Sequence, residues 1–140
     1  MAVRVVKLET LEEAISRSWG KDTSLDADNW TPENPAWGQC AVTACVVQDY
    51  LGGDLVWANA TLPGGKTLSH YWNKDTLDGE LDLTRKQFPE GTIVPVGAEK
   101  KKQFGSTREY VLSFEKTMQR YNALSEKVNR ELEGKYEILK

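Results

Sequence analysis

A chain of 140 residues with 18 Lys and Arg against 21 Asp and Glu, net charge −3, lacks the basic footprint of a phosphate-tracking nucleic-acid binder. Its 39% hydrophobic and 28% charged residues are ordinary for a soluble domain, and the length suffices to bury a core without disulfide staples. No run approaches the roughly 20 apolar residues that cross a bilayer, and Met1-Ala-Val-Arg-Val-Val-Lys7 lacks the apolar stretch and cleavage site of a secretory leader. The expectation is one cytoplasmic domain over residues 1–140 that binds neither nucleic acid nor membrane, with its core over about 8–97 and a helical extension over about 106–133.

Leu8, Leu11, Ala14 or Ile15, and Trp19 recur at helical spacing, with Thr10 as the expected cap and Gly20 as the stop. Residues 21–38, rich in Asp, Asn, Pro and Gly, predict a long ordered loop, held down by Trp30 and Trp37. Gln39 to Leu51 is an almost unbroken apolar run closed by Gly52-Gly53; its length and alanines favour a buried helix over a strand. Three β-textured runs follow, starting at Leu55, Thr67 and Glu80, with turn signals at Pro63-Gly64-Gly65 and Asp78-Gly79. They predict a three-stranded antiparallel meander, to which residues 91–97 add an edge element limited by Pro95. Lys100-Lys101-Lys102 reads as a solvated loop. Ser106-Thr-Arg-Glu109 has the form of a capping box opening one long helix, with Val111, Phe114, Met118, Tyr121, Leu124, Val128 and Leu132 along a single stripe. Such a helix would be close to 40 Å long at about 1.5 Å per residue, long enough for part of it to meet a second copy of the chain as a homodimer.

Cys40 falls in the first turn of the expected buried helix, where unsatisfied N–H groups and the helix dipole favour a thiolate. Cys45, among Ala44, Val46 and Val47, reads as a packed small hydrophobe. A cysteine nucleophile needs a general base, and His70 is the chain's one histidine. Asp82, flanked by Leu81 and Leu83 in a short strand, wants a partner there, and an imidazole nitrogen of His70 is a suitable one. Positions 70 and 82 have equal parity and share a face if the strands pair, but a two-residue turn at Asp78-Gly79 would set His70 opposite Gln87. The triad therefore requires a wider loop or a bulge. The backbone N–H of Cys40 is the natural first oxyanion donor; Gln39, Asn34 and the indole of Trp37 remain open as the second. Trp30, Trp37, Trp57 and Trp72 are candidates for lining a cleft, with core packing the expected role for most of them. No HExxH, P-loop or GxGxxG is present. With Cys45 facing away from Cys40, the set Cys40, Cys45, His70 and Asp82 makes a poor zinc site, so neither metal nor cofactor is expected.

The order of cysteine on a helix, then His on one strand and Asp on the next, resembles the papain-like superfamily, especially its transglutaminase-like branch. More closely, Trp30-Thr-Pro-Glu-Asn-Pro-Ala-Trp-Gly-Gln-Cys-Ala-Val-Thr-Ala44, Gln48-Asp-Tyr-Leu-Gly-Gly53, His70-Tyr-Trp-Asn73 and Leu81-Asp-Leu-Thr-Arg-Lys-Gln-Phe88 resemble the small bacterial YunG-like family, over roughly residues 16–90. The resemblance implies an α+β fold: a papain/transglutaminase-like core, its buried cysteine-bearing helix packed on a small antiparallel sheet, plus the long C-terminal helix. Relative to papain, Asp82 stands in place of an Asn, and no Gln lies six residues before the cysteine.

The function expected from these residues is a cysteine-nucleophile hydrolase or acyl transferase. It would act on a small amide, or on a peptide or protein side chain, through a thioester, as a peptidase, amidase, deamidase or transglutaminase does. The alternative is a non-catalytic binding or assembly module on the same scaffold.

Overall fold

The apolar stripe of the first helix decides where it packs. In the computed structural model, which describes residues 3–135 and 137–139, helix α1 (Leu8–Ser18) buries Leu11, Ala14 and Ile15 on one face. It starts at Leu8 with Lys7 as the capping residue, so Thr10 lies inside the first turn rather than capping it. Trp19 ends the helix and its indole Nε1 donates to Thr43 Oγ1 at 2.9 Å, tying α1 to the next helix.

That helix, α2 (Cys40–Leu51), is buried along most of its length, with Val42, Val46, Val47 and Leu51 facing Leu11, Ile15, Leu124, Val128 and Leu132. Truncating a fully buried leucine here, such as Leu124 to Ala, would cost about 2–5 kcal/mol. Gly52, in a left-handed conformation, caps the helix as its N–H reaches Gln48 O.

Strands β2 (Asp54–Thr61), β3 (Thr67–Thr76) and β4 (Gly79–Leu81) form the antiparallel sheet in that order. β2 and β3 pair without interruption, Ala58 opposite His70. Alternation sends Asn73 toward α2, where its Nδ2 donates to Ala44 O at 2.8 Å, while His70 and Trp72 share the other parity and stack. On the far edge of β2, isolated bridges join Thr61 to Ile93 and Trp57 to Ala98, flanking Pro95, whose missing N–H prevents a continuous strand. Gly97 lies so close to the sheet that a β-carbon there would come within 2.6 Å of Val56 Cγ2.

The C-terminal region departs from a single long helix. It breaks at Ser113 and Phe114 into α3 (Thr107–Leu112) and α4 (Glu115–Glu131), Phe114 being extended. The capping box is present in altered form. Ser106 Oγ accepts from Glu109 N at 3.1 Å, while the Glu109 carboxylate accepts from Gly105 N rather than from Ser106 N. At about 1.5 Å per residue, the 17 residues of α4 span about 25 Å, and Leu124, Val128 and Leu132 are consumed by packing on α1 and α2. The segment thus shares a core cluster with α1 and α2. Arg108 fastens it through the carbonyl of Cys45, Asp49 Oδ1 and Tyr121 Oη, at 3.0, 2.8 and 3.0 Å.

A two-stranded ladder joins strand β1 (Val3–Val5) to strand β5 (Glu137–Leu139), Arg4 opposite Ile138. Over the described residues, the result is a mixed α+β fold of four α-helices with a three-stranded antiparallel sheet.

Candidate active site

Cys40 is the first residue of α2 and is half-buried. Gln39 precedes it as the N-cap without offering a side-chain acceptor, so the N–H groups of the first turn keep no cap of their own. The approach to Cys40 is fixed by the loop before it. Gly38 takes φ +74°, and a β-carbon there would meet Ser24 Oγ at 2.3 Å. Leu25 N donates to Gly38 O at 2.9 Å and Ser24 Oγ to Trp37 O at 2.7 Å.

His70 is completely buried on β3, stacked on Trp72 (centroids 5.3 Å apart) and met edge-on by Phe88 (4.9 Å). Its Nε2 lies 2.7 Å from Asp82 Oδ2, and its Nδ1 has no partner by hydrogen-bond geometry, which leaves that nitrogen for the thiol. Burial disfavours the imidazolium, but the hydrogen bond to Asp82 and the nearness and charge of Asp82 and Cys40 outweigh it, raising the His70 pKa to about 9.

Asp82 does not lie within a strand: β4 ends at Leu81, and Asp82 opens the turn that follows. It reaches His70 because of a register shift. Asn73 pairs with Leu81 and Thr76 with Gly79, leaving one extra residue on β3, where Asp75 adopts φ 59°. The turn itself is tight and centred on Leu77-Asp78, held by Asp78 N donating to Thr76 Oγ1. Arg85 Nη1 stands 3.8 Å from the same Asp82 oxygen.

Cys40, His70 and Asp82 are therefore brought together. The side chains of Gln39, Asn34 and Trp37 are engaged elsewhere: Gln39 Nε2 donates to Gly20 O, Asn34 Nδ2 to Gln87 O, and Trp37 Nε1 to Asp26 Oδ2, each at 3.0 Å. Gln87 also accepts from Gly38 N at 3.2 Å through Oε1. It thereby clamps the segment after Asp82 to the loop before Cys40, a role with no local sequence signal. Cys45 is fully buried among Ala44, Leu55 and Val111, and burial pushes its thiol up to about 12.

Cys40 opens onto a cavity of about 420 Å³, within the usual size range of small-molecule sites. None of the five tryptophans lines it. Its walls come instead from Tyr71 and from Lys100, Tyr110, Phe114, Lys116 and Arg120 of the C-terminal region. Lys100 does not extend into solvent as its basic run suggests; its ammonium sits 4.2 Å from the centroid of Trp57 and 5.9 Å from that of Tyr110. Burial, with the neighbouring Tyr110 and Cys40, raises the Tyr71 pKa and keeps its hydroxyl protonated. Among the described residues, no group of three or more His, Cys, Asp or Glu is placed to share a metal ion, and no helix is long and apolar enough to cross a membrane.

Among curated proteins, the chain is similar to "Uncharacterized protein YunG" of Bacillus subtilis (strain 168), 40% identical over 48 residues. That match covers 34% of this chain and 39% of the relative's length. No solved structure matches the chain. The family model described as "YunG protein" matches residues 7–133, which hold Cys40, His70, Asp82 and both C-terminal helices; the chain belongs to the YunG protein family.

Proposed function

We propose that this chain is a cysteine-nucleophile hydrolase or acyl transferase that acts on an amide through a thioester, on a papain/transglutaminase-like core. The observation that carries the reading is the state of His70. It is wholly buried, held by Asp82 through Nε2, and left with Nδ1 for the thiol of a cysteine that starts a helix and opens on a cavity. A buried imidazole is costly to charge, and the two partners reverse that preference.

In the proposed reaction, the Cys40 sulfur attacks the amide carbonyl carbon. The backbone N–H of Cys40, at the helix start, and the protonated Tyr71 hydroxyl on the cavity wall are the donors for the oxyanion. The His70 imidazolium gives the Nδ1 proton to the leaving nitrogen, the C–N bond breaks, and an amine departs from the thioester. His70, now neutral, takes a proton from water or an acceptor amine as that nucleophile attacks the thioester carbonyl. The C–S bond then breaks and returns the thiolate, with Asp82 holding the ring throughout. The alternative, a non-catalytic module on the same scaffold, would leave Cys40 with the reactivity of an ordinary thiol.

Iodoacetamide labelling as a function of pH tests this. An activated Cys40 is labelled at pH 6 about 100-fold faster than an ordinary thiol, which is only a fraction of a percent ionised there, and the excess disappears in His70→Ala. A labelling profile that follows an ordinary thiol, unchanged by His70→Ala, would sink the proposal.

A further inference from the structure

The cavity beside Cys40 is built for one sign of charge. Lys100, Lys116 and Arg120 line it, and no Asp or Glu does, in a protein whose net charge is −3. None of the three is paired with a carboxylate among the described residues. Arg17, Arg85, Arg108 and Arg130 each face a carboxylate. Arg120 faces none among the described residues: its Nη2 donates to Thr117 Oγ1 on its own helix, and its Nε is buried with no hydrogen-bond partner. A guanidinium on a cavity wall with no carboxylate opposite it matches a planar two-oxygen anion. Lys100 is fixed over Trp57 and Tyr110 and adds a second positive charge with little mobility left to lose on binding. Between the cations the walls are apolar rings, Tyr71, Tyr110 and Phe114, which suit the carbon skeleton between an anionic group and a reacting carbonyl.

We propose that the substrate carries a carboxylate near its reacting amide, and that Arg120, aided by Lys100 and Lys116, is its specificity-determining anchor. The inference rests on the cysteine-nucleophile reading for the reaction, but the anion site itself needs only that Cys40 can be alkylated. The carboxylate could belong to a small acylated amino acid or to the C-terminus of a peptide, and the two sources share this chemistry.

Matched alkylating reagents separate charge recognition from thiol activation. In each, the Cys40 sulfur forms a bond to the reagent's methylene as iodide leaves, and only the remote group differs. The pairs are iodoacetate against iodoacetamide, and N-iodoacetylglycine against its primary amide, which reaches further into the cavity. The acid-to-amide rate ratio at Cys40, divided by the same ratio for a free small thiol, is expected to exceed unity by about tenfold in at least one pair at low ionic strength. It should fall toward unity in Arg120→Gln and as salt is raised, with Lys116→Gln, at an exposed position, lowering it by a smaller factor. A ratio near unity in both pairs overturns the proposal. So does a ratio untouched by Arg120→Gln while both rates drop together, since the cations would then serve the thiolate alone. Labelling that follows an ordinary thiol and is unchanged by His70→Ala, with the ratio retained, would fail the enzyme reading and leave the anion site standing. Protection of Cys40 from iodoacetamide by N-acetylglycine points to a small acid. Protection by a peptide with a free C-terminus but not by its amidated form points to a peptide end. Protection by neither overturns the anchor.

Discussion

His70 Nε2 and Asp82 Oδ2 lie 2.7 Å apart although the two residues are not partners across the hairpin: the ladder pairs Asn73 with Leu81, and Asp82 lies beyond the end of β4. One extra residue at Asp75 shifts the register just enough to swing Asp82 behind the imidazole. The ring is charged by partners that burial alone would not permit.

Replacing Asp82 with Asn keeps the shape and removes the negative charge that raises His70. The His70 pKa should fall below its wild-type value of about 9, and Cys40 labelling at pH 6 should slow by tenfold or more. The chain has a single histidine, so NMR titration of its ring protons reads the shift directly. An unchanged titration would remove Asp82 from the site.

Stability should depend on pH in one direction through neutrality. His70 has a folded pKa of about 9 against an ordinary imidazole value of 6.5. The folded state thus holds the proton more tightly, and the contribution is complete below about pH 6.5 and lost as pH rises to about 9. The ceiling is about 3 kcal/mol, visible as a falling urea midpoint between pH 6 and 9 that flattens in His70→Ala. A midpoint that stays level or rises across that window contradicts it.

The two cysteines should behave oppositely. Cys45, fully buried with its thiol pushed up to about 12, should resist alkylation until the protein is unfolded, whereas Cys40 reacts in the native state. Cys45→Ser should cost about 1–3 kcal/mol by burying a hydroxyl without a ready partner, and Cys40→Ser much less. Mass spectrometry after native and denatured labelling separates the sites.

Gly38→Ala should damage both stability and reactivity. Its φ of +74° and the 2.3 Å approach to Ser24 Oγ leave no room for a β-carbon, for a cost of about 1–3 kcal/mol. The loop that delivers Cys40 must then shift, slowing labelling at pH 6 more than Gly64→Ala would, since nothing lies within 4 Å at that glycine. Equal effects of the two changes on labelling would show that the loop does not set the thiol's position.

Gln87→Ala should loosen the clamp between the two arms of the triad by removing the acceptor of Gly38 N while keeping the carbonyl that receives Asn34. A loss of about 1 kcal/mol is expected, together with faster amide exchange in the loop ahead of Cys40. Exchange rates identical to wild type would assign the clamp to other contacts.

The long apolar runs made α1, α2 and the meander legible in the sequence, because periodicity and turn residues agree over many positions. Cys40 and His70 followed from a helix start and from the absence of another imidazole. The break at Ser113 and Phe114 was hidden because Val111, Phe114 and Met118 keep helical spacing across it. After the break, Phe114 is 53% exposed and Met118 38%, facing outward rather than along the core stripe. Tyr71, Gln87, Lys100 and Arg120 carry no local signal, since each acquires its place only when distant segments meet. Strands β1 and β5, three residues each, are too short for any pattern to mark.

The interruption between α3 and α4 has a consequence for how this family could diversify. The reactive groups come from residues 40–82, and the cations and two of the three rings around the cavity come from residues 100–120. In the proposed reading, chemistry and selectivity are thereby written in separate stretches of one chain. Grafting the second stretch from one relative to another would exchange what is admitted while leaving the nucleophile in place.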